Sequence, residues 1–260
     1  MARIHDLPRP GDPAVRRSDP TAALGADQPA SSRAAKGARV DPTGKPPAPA
    51  EFALAPAIGV LGVQGDVSEH ATALERAGAR AVWVRRPEDL EIVDGLVLPG
   101  GESTTLRRLL DYEGLLEAVR YRGEEGMPVF GTCAGAILLA SEVAGAPAPH
   151  LSLVPMTVAR NAYGRQRESF AADLDVAGLE GGPLHAVFIR APVIEEVGEG
   201  VRVLAREGGE IVLAETDRAL VATFHPELTA DNRLHRRFVG IVRKALGFSG
   251  PSGASRGSRS

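Results

Sequence analysis

Apolar and polar positions change rhythm three times along this chain. From Met1 to about Ala50 neither the 3.6-residue repeat of a helix nor the alternation of a strand is sustained. From Ile58 onward, short apolar runs alternate with amphipathic stretches. Ile58–Val63, Ala81–Val84, Gly95–Pro99 and Pro128–Gly131 read as strands. Between them, Val67 to Ala77 reads as a helix stopped by Gly78, and Thr104 to about Tyr121 as one long helix. The apolar stretch Ile137 to Val143 reads as a further helix. Strands alternating with helices in this way predict a mostly parallel sheet covered on both faces, an α/β fold. After Leu151 the rhythm shifts to extended runs: Val154–Ala159, Ala186–Arg190, Val201–Arg206, Ile211–Ala214 and Leu220–Phe224. An amphipathic helix over Asp231 to Leu246 closes the pattern, and no internal repeat is visible.

Composition sharpens the boundaries. Residues 1–50 hold eight Lys/Arg against five Asp, a charge of +3, so the remainder of a chain of net charge −3 carries −6. Rich in Ala, Pro, Gly and Ser, this segment has too little apolar surface to offset its ordering entropy. The reading is a disordered extension over residues 1–54, a folded domain over 55–247, and a flexible Gly/Ser/Arg-rich tail over 248–260. A slightly acidic chain lacks the basic face expected of a nucleic-acid binder. No apolar run approaches the roughly 20 residues of a membrane helix, and no apolar leader opens the sequence. A single cysteine excludes an internal disulfide and fits a reducing cytoplasm.

That cysteine sits in the sharpest local motif. Gly131-Thr-Cys133-Ala-Gly135 is G-x-C-x-G between an apolar strand and an apolar helix, the pattern of a nucleophile elbow with Cys in place of Ser. A strand reversing into a helix would drive side chains two positions either side into collision, and the two glycines remove it. A thiol there, at a helix N-terminus, is placed to ionise. Taken alone, the motif is equally compatible with a cysteine that merely fills space. Leu220-Val-Ala-Thr-Phe-His225-Pro-Glu227 supplies a second element. Pro226 biases His225 toward an extended conformation. In an extended chain, residues two apart face the same way, which predicts Glu227 beside the His225 imidazole, fixing its tautomer. The other histidines, His5, His70, His150, His185 and His235, have no comparable context, and His70 on the first helix is expected to be solvated. A third element, Leu98-Pro-Gly-Gly101-Glu-Ser-Thr-Thr105, follows a strand and opens a helix. Its paired glycines can turn backbone N–H groups toward a site, Ser103 or Thr104 can cap the helix, and Glu102 can meet an ammonium group. A phosphate-binding P-loop is excluded by the missing Gly-Lys-Ser/Thr ending.

Gly-Thr-Cys-Ala-Gly at 131–135 and His-Pro-Glu at 225–227 resemble the triad motifs of class I glutamine amidotransferases. Within that superfamily, five further stretches resemble the glutaminase subunits of pyridoxal 5′-phosphate synthase. They are Gly59-Val-Leu-Gly-Val-Gln-Gly65, Leu98 to Thr105, Arg160-Asn-Ala-Tyr-Gly-Arg-Gln166, Phe188-Ile-Arg-Ala-Pro192 and Phe224-His-Pro-Glu-Leu-Thr229. The similarity runs from about Ile58 to Leu246. The resemblance implies a three-layer, flavodoxin-like amidotransferase fold. It implies Cys133 as nucleophile, His225 as general base and acid, and Glu227 as its orienting partner. Gly101, Glu102, Ser103, Arg160, Ile189 and Arg190 would bind glutamine, and the N–H groups of Gly101 and Ala134 would form the oxyanion hole. Gln64 would support that hole when a partner docks. No metal or cofactor is implied. The implied partner is a TIM-barrel synthase subunit of the PdxS type, in a large hetero-oligomer, that takes up the ammonia to make pyridoxal phosphate.

Three other functions fit parts of the pattern. A glutaminase serving another synthase, such as the imidazole-glycerol-phosphate one, lacks reason to carry the Arg160 to Gln166 and Phe188 to Pro192 stretches. A scaffold that has lost its chemistry would not keep all three triad residues. A peptidase or stress-response relative would share the elbow but not pair it with His-Pro-Glu.

Overall fold

The computed structural model describes residues 55–62, 65–112, 114–145, 151–160 and 169–248. The expected extension over 1–54, nearly all of the expected C-terminal tail, Gln64 and positions 161–166 of the Arg-Asn-Ala-Tyr-Gly-Arg-Gln stretch lie outside the described residues.

The first half alternates as predicted. β1 (Ala57–Leu61) leads into α1 (Val67–Arg76), β2 (Arg80–Val84), a 3₁₀ turn (Pro87–Ile92) and β3 (Gly95–Leu98). Then come α2 (Ser103–Tyr112), α3 (Leu115–Glu124), β4 (Val129–Thr132) and α4 (Ala134–Leu139). The single helix expected from Thr104 to Tyr121 is two, because Gly114 takes a left-handed φ of 68° and starts α3 in a new direction. The helix expected over Ile137–Val143 ends at Leu139, and Ala140–Val143 forms β5 instead. A short, mostly apolar run cannot by its own periodicity distinguish buried helix from buried strand. Here pairing with β6 decides, as Ala140 stands against Val154 and Val143 against Val158.

The second half consists of β6 (Val154–Ala159), β7 (Ser169–Leu174), β8 (Leu184–Ile189), β9 (Val193–Val197), β10 (Arg202–Glu207), β11 (Glu210–Glu215) and β12 (Ala219–Ala222). A 3₁₀ turn (Pro226–Leu228) and α5 (Arg233–Ala245) follow. Two of these strands, β7 and β9, were not anticipated. The solvent-facing alternation of β7 and the Glu195-Glu196 pair in β9 hid them.

The main sheet runs in the order β2-β1-β3-β4-β12-β11-β9-β6-β5, with β10 on β11. The first five strands are parallel, in the order typical of flavodoxin-like sheets. Beyond β12 the pairing turns antiparallel through β11, β9 and β6. β7 and β8 form a separate two-stranded ribbon. Every residue of β1, β3, β4 and β12 is buried, as a sheet covered on both faces demands. One core, containing Leu106, Leu110, Leu116, Val119 and Leu138, packs α2, α3 and α4 on one face. The other, containing Leu74, Phe188, Phe224, Phe238 and Val242, packs α1, α5 and the β7–β8 ribbon on the opposite face. The result is three layers. The carboxyl ends of β1, β3, β4 and β12 converge on one rim, where open α/β sheets hold their ligands. Among the described residues no helix is long and apolar enough to cross a membrane.

Candidate active site

Cys133 stands where β4 breaks into α4, with φ 47° and ψ −105°. A non-glycine residue in this strained region is held by its surroundings. Its amide donates to Ala222 O on β12 at 2.9 Å, which ties the elbow to the neighbouring strand. Both elbow glycines are sterically required. A Cβ on Gly131 would come within 2.7 Å of the Gly135 carbonyl and of Leu139 Cδ1, and one on Gly135 would run into the Leu98 carbonyl oxygen. Cys133 is 7% exposed, less open than an elbow suggests, and Sγ lies 3.9 Å from Ile189 O at the end of β8.

His225 follows β12, and its amide donates to Val187 O on β8 at 2.9 Å. Glu227 reaches it by a different path from the one expected. The chain does not stay extended. Pro226 opens the 3₁₀ turn Pro226–Leu228, which folds the Glu227 carboxylate back so that Oε1 lies 2.8 Å from His225 Nδ1. The imidazole therefore presents Nε2 as its second nitrogen, with Nδ1 committed to the carboxylate. Burial works against a charge on His225, but hydrogen bonding with Cys133 and Glu227 and the charges of both outweigh it, raising its pKa to about 10. Burial pushes the Glu227 carboxyl up, and the adjacent imidazolium partly offsets this. Asp66, at the N-terminus of α1, adds a second carboxylate 3.6 Å from His225 Nδ1. Asp66, His225 and Glu227 are near enough to share a cation, but the same Nδ1 already serves the dyad.

The glycine loop after β3 meets this cluster through Gly100, the first of its paired glycines. A Cβ there would lie 3.0 Å from His225 Nδ1 and 3.3 Å from Cys133 Cβ. Gly101 beside it has a φ of 145°, which favours glycine. The cap of α2 is Glu102 rather than Ser103 or Thr104. Its carboxylate accepts from the amides of Thr104 (2.9 Å) and Thr105 (2.7 Å) and from the Thr105 hydroxyl (2.6 Å). These bonds, that of the Thr105 side chain foremost, lower its pKa to about 2. Ser103 begins α2. Ile189 is 37% exposed beside the thiol, and Arg190 follows it with φ 44°. Arg160 lies just beyond β6, with its Nε buried and without a hydrogen-bond partner among the described residues.

The expectation for His70 was wrong. Both His70 and His235 are fully buried. His70 Nδ1 is 3.0 Å from His235 Nε2, and His70 Nε2 is 3.2 Å from Thr132 Oγ1 and 3.4 Å from Glu227 Oε2. Helical spacing carried the signal. His70 falls with Ala73 and Leu74 on the inner face of α1, and His235 with Phe238, Val239 and Val242 on that of α5.

Known proteins resemble this chain over most of its folded length. The SNO glutamine amidotransferase family matches residues 60–244. The "Pyridoxal 5′-phosphate synthase subunit PdxT" of Nocardia farcinica is 56% identical over 197 residues, covering 73% of this chain and 87% of that protein. Its namesake from Geobacillus kaustophilus is 54% identical over 188 residues, covering 72% and 95%. A crystal structure of a glutamine amidotransferase superposes with a TM-score of 0.67 at 52% identity, covering 71% of this chain and 98% of that one. A putative GMP synthase protein from Thermoplasma acidophilum, at 19% identity and a TM-score of 0.55, covers 74% of this chain and 96% of its own and shares the fold alone. With a match over 60–244 and a buried Cys-His-Glu cluster on the rim of a flavodoxin-like sheet, the chain belongs to the SNO glutamine amidotransferase family.

Proposed function

We propose that this protein is the glutaminase subunit of a pyridoxal 5′-phosphate synthase, hydrolysing L-glutamine to L-glutamate and passing the ammonia to a synthase subunit. The observation that carries the reading is the 2.8 Å contact between His225 and Glu227 beside a strained, buried Cys133. Cys133 gives its thiol proton to His225 as its sulfur attacks the side-chain amide carbon of glutamine, forming the C–S bond. The His225 imidazolium gives its proton to the amide nitrogen as the C–N bond breaks, so ammonia leaves and a γ-glutamyl thioester remains. His225 then takes a proton from water as the water oxygen attacks. The C–S bond breaks and glutamate departs. Glu227 holds the imidazole and balances its charge throughout.

The N–H groups of Gly101 and Ala134 serve as oxyanion donors. Gly101, Glu102, Ser103, Arg160, Ile189 and Arg190 bind the substrate. The Nε of Arg160, buried and without a hydrogen-bond partner among the described residues, supports this, since such a donor suits a ligand carboxylate. Gln64 completes the hole when the partner docks. The amidotransferase domain is residues 55–247, working in the cytoplasm against a TIM-barrel synthase in a hetero-oligomer.

Product formation in four mixtures tests the assignment: wild type or Cys133→Ala, with the synthase subunit of a relative, fed glutamine or an ammonium salt. Glutamine should support pyridoxal phosphate synthesis only with wild type, and ammonium should support it with both. Synthesis from glutamine by the Cys133→Ala pair would remove the thiol from the scheme. An ammonium-fed reaction that still required the thiol would break the division of labour.

A further inference from the structure

His70 and His235 take no part in the chemistry above, yet they form a buried polar pair against Phe130, which itself packs on Phe238. Buried imidazoles of this kind are retained against a desolvation cost. Burial holds both in the neutral form. The pKa of His70 lies well below the ordinary value, and that of His235 is lowered to about 4. Each ring then carries one N–H, and the surroundings say which.

Two arrangements are possible. If His70 carried its proton on Nδ1, it would donate to His235 Nε2 at 3.0 Å, and His235 would have to carry its own proton on Nδ1. That atom is buried and has no partner among the described residues, so the arrangement leaves an N–H orphaned. It would also turn the bare lone pair of His70 Nε2 toward Glu227 Oε2. In the other arrangement His235 Nε2–H donates to His70 Nδ1. His70 Nε2–H then donates to Thr132 Oγ1 at 3.2 Å, with Glu227 Oε2 at ion-pair distance, 3.4 Å away. Among the described residues Glu227 Oε2 accepts no hydrogen bond, and this arrangement turns an N–H dipole rather than a lone pair toward it, leaving only an unprotonated nitrogen of His235 without a partner. The second arrangement satisfies more groups.

We infer that His70, set by His235, is a positioning residue that holds its Nε2–H dipole against the far oxygen of Glu227 and keeps that carboxylate ionised and aimed at His225. The inference rests on the triad reading of the preceding subsection. His70 also joins Glu227 to Thr132, the residue before Cys133, so one side chain fixes the acid relative to the elbow. The charged groups facing the dyad are few. Asp66 and His70 approach from α1 and its N-terminus, His235 from α5 behind His70, and Cys133 from β4, while Glu69 and Arg76 line the cleft beside Glu227.

The two amide replacements of His70 separate the roles of its nitrogens. Gln places an N–H near the Nε2 position, and Asn places one near Nδ1. His70→Gln should keep turnover within about threefold of wild type. His70→Asn should lower kcat at least about tenfold with KM changed less than threefold, the loss expected for weakened general-base catalysis. With Glu227 less ionised, the His225 imidazolium loses support. The alkaline limbs of turnover and of Cys133 alkylation by iodoacetamide should both move down by roughly one pH unit in the Asn variant. In a Glu227→Gln background the Asn change should cost less than about threefold, since its route is already cut. Equal effects of Gln and Asn, or losses that multiply in that background, would overturn the inference. So would nitrogen-resolved NMR of the unmodified protein showing His70 protonated on Nδ1, a test that needs no variant. Cys133→Ala serves as the separate control. Activity surviving there breaks the triad reading itself, whereas failure of the His70 variants alone leaves the triad standing.

Discussion

Gly100→Ala gives a direct measure of how tightly the glycine loop is fitted to the His225–Cys133 pair. Gly100 does not lie in the left-handed region, so alanine suits its backbone, and any effect must come from the added methyl. That carbon would stand 3.0 Å from His225 Nδ1 and 3.3 Å from Cys133 Cβ, with His225 Cε1 closer still. Ordinary contact needs about 3.5–4.0 Å, so the ring has to retreat by roughly 1 Å. A misplacement of about 1 Å at a reacting group costs about 10²-fold, or roughly 2.7 kcal/mol of transition-state stabilisation. Stability should suffer less. Overpacking costs about 1–3 kcal/mol, and the reduced freedom of the unfolded chain returns about 0.4–1 kcal/mol. The expected result is kcat/KM for glutamine hydrolysis down about 10²-fold, followed by coupled glutamate release, with Tm lowered by no more than a few degrees. Gly240→Ala on α5, where nothing lies within 4 Å of the new methyl, is the matched control and should leave activity untouched. A Gly100→Ala enzyme within threefold of wild type would refute the claim that this loop is packed against the imidazole.

Three further outcomes are expected. Cys133→Ala should abolish glutamine hydrolysis, and a glutamine-analogue electrophile should label Cys133 alone in the wild type. More than a few per cent activity in the Ala variant would exclude the thiol. Gly135→Ala should act on folding instead, because its Cβ meets the Leu98 backbone, which cannot swing aside. A loss of about 2–3 kcal/mol, seen as a Tm drop of roughly 5–10 °C, is the scale for such a clash. Stability against pH should be greatest near pH 6.5 as far as the site histidines decide it. The raised pKa of His225 means its contribution is complete below about 6.5 and is lost as pH climbs toward 10. His235, lowered to about 4, has the opposite sign. Its neutral burial is free above about 6.5 and opposes folding as pH falls, by about 2 kcal/mol at pH 5. Denaturant titrations from pH 5 to 10 would show this, and stability rising steadily across that range would contradict it.

Much of this molecule is legible in its sequence. The parallel strands β1, β3 and β4 are short apolar runs next to amphipathic helices, and local periodicity suffices to mark them. The elbow is legible because its geometry admits almost nothing but glycine at Gly131 and Gly135, a constraint written in two letters. The adjacency of His225 and Glu227 is also fixed by sequence, since residues two positions apart stay close, although the turn that joins them was misjudged. Other features depend on parts of the chain that sequence separates. Whether Ala140–Val143 is helix or strand is settled by β6, a partner that local periodicity cannot see. That Gly100 abuts His225 depends on β3, β4 and β12 lying side by side, which brings their carboxyl ends together across 125 residues of chain. The His70–His235 pair joins two helices 165 residues apart. Sequence spacing could show that each histidine faces inward. Only the packing of α1 against α5 over the back of β4 makes them partners and turns His70 toward Glu227 rather than leaving two costly polar groups in the core.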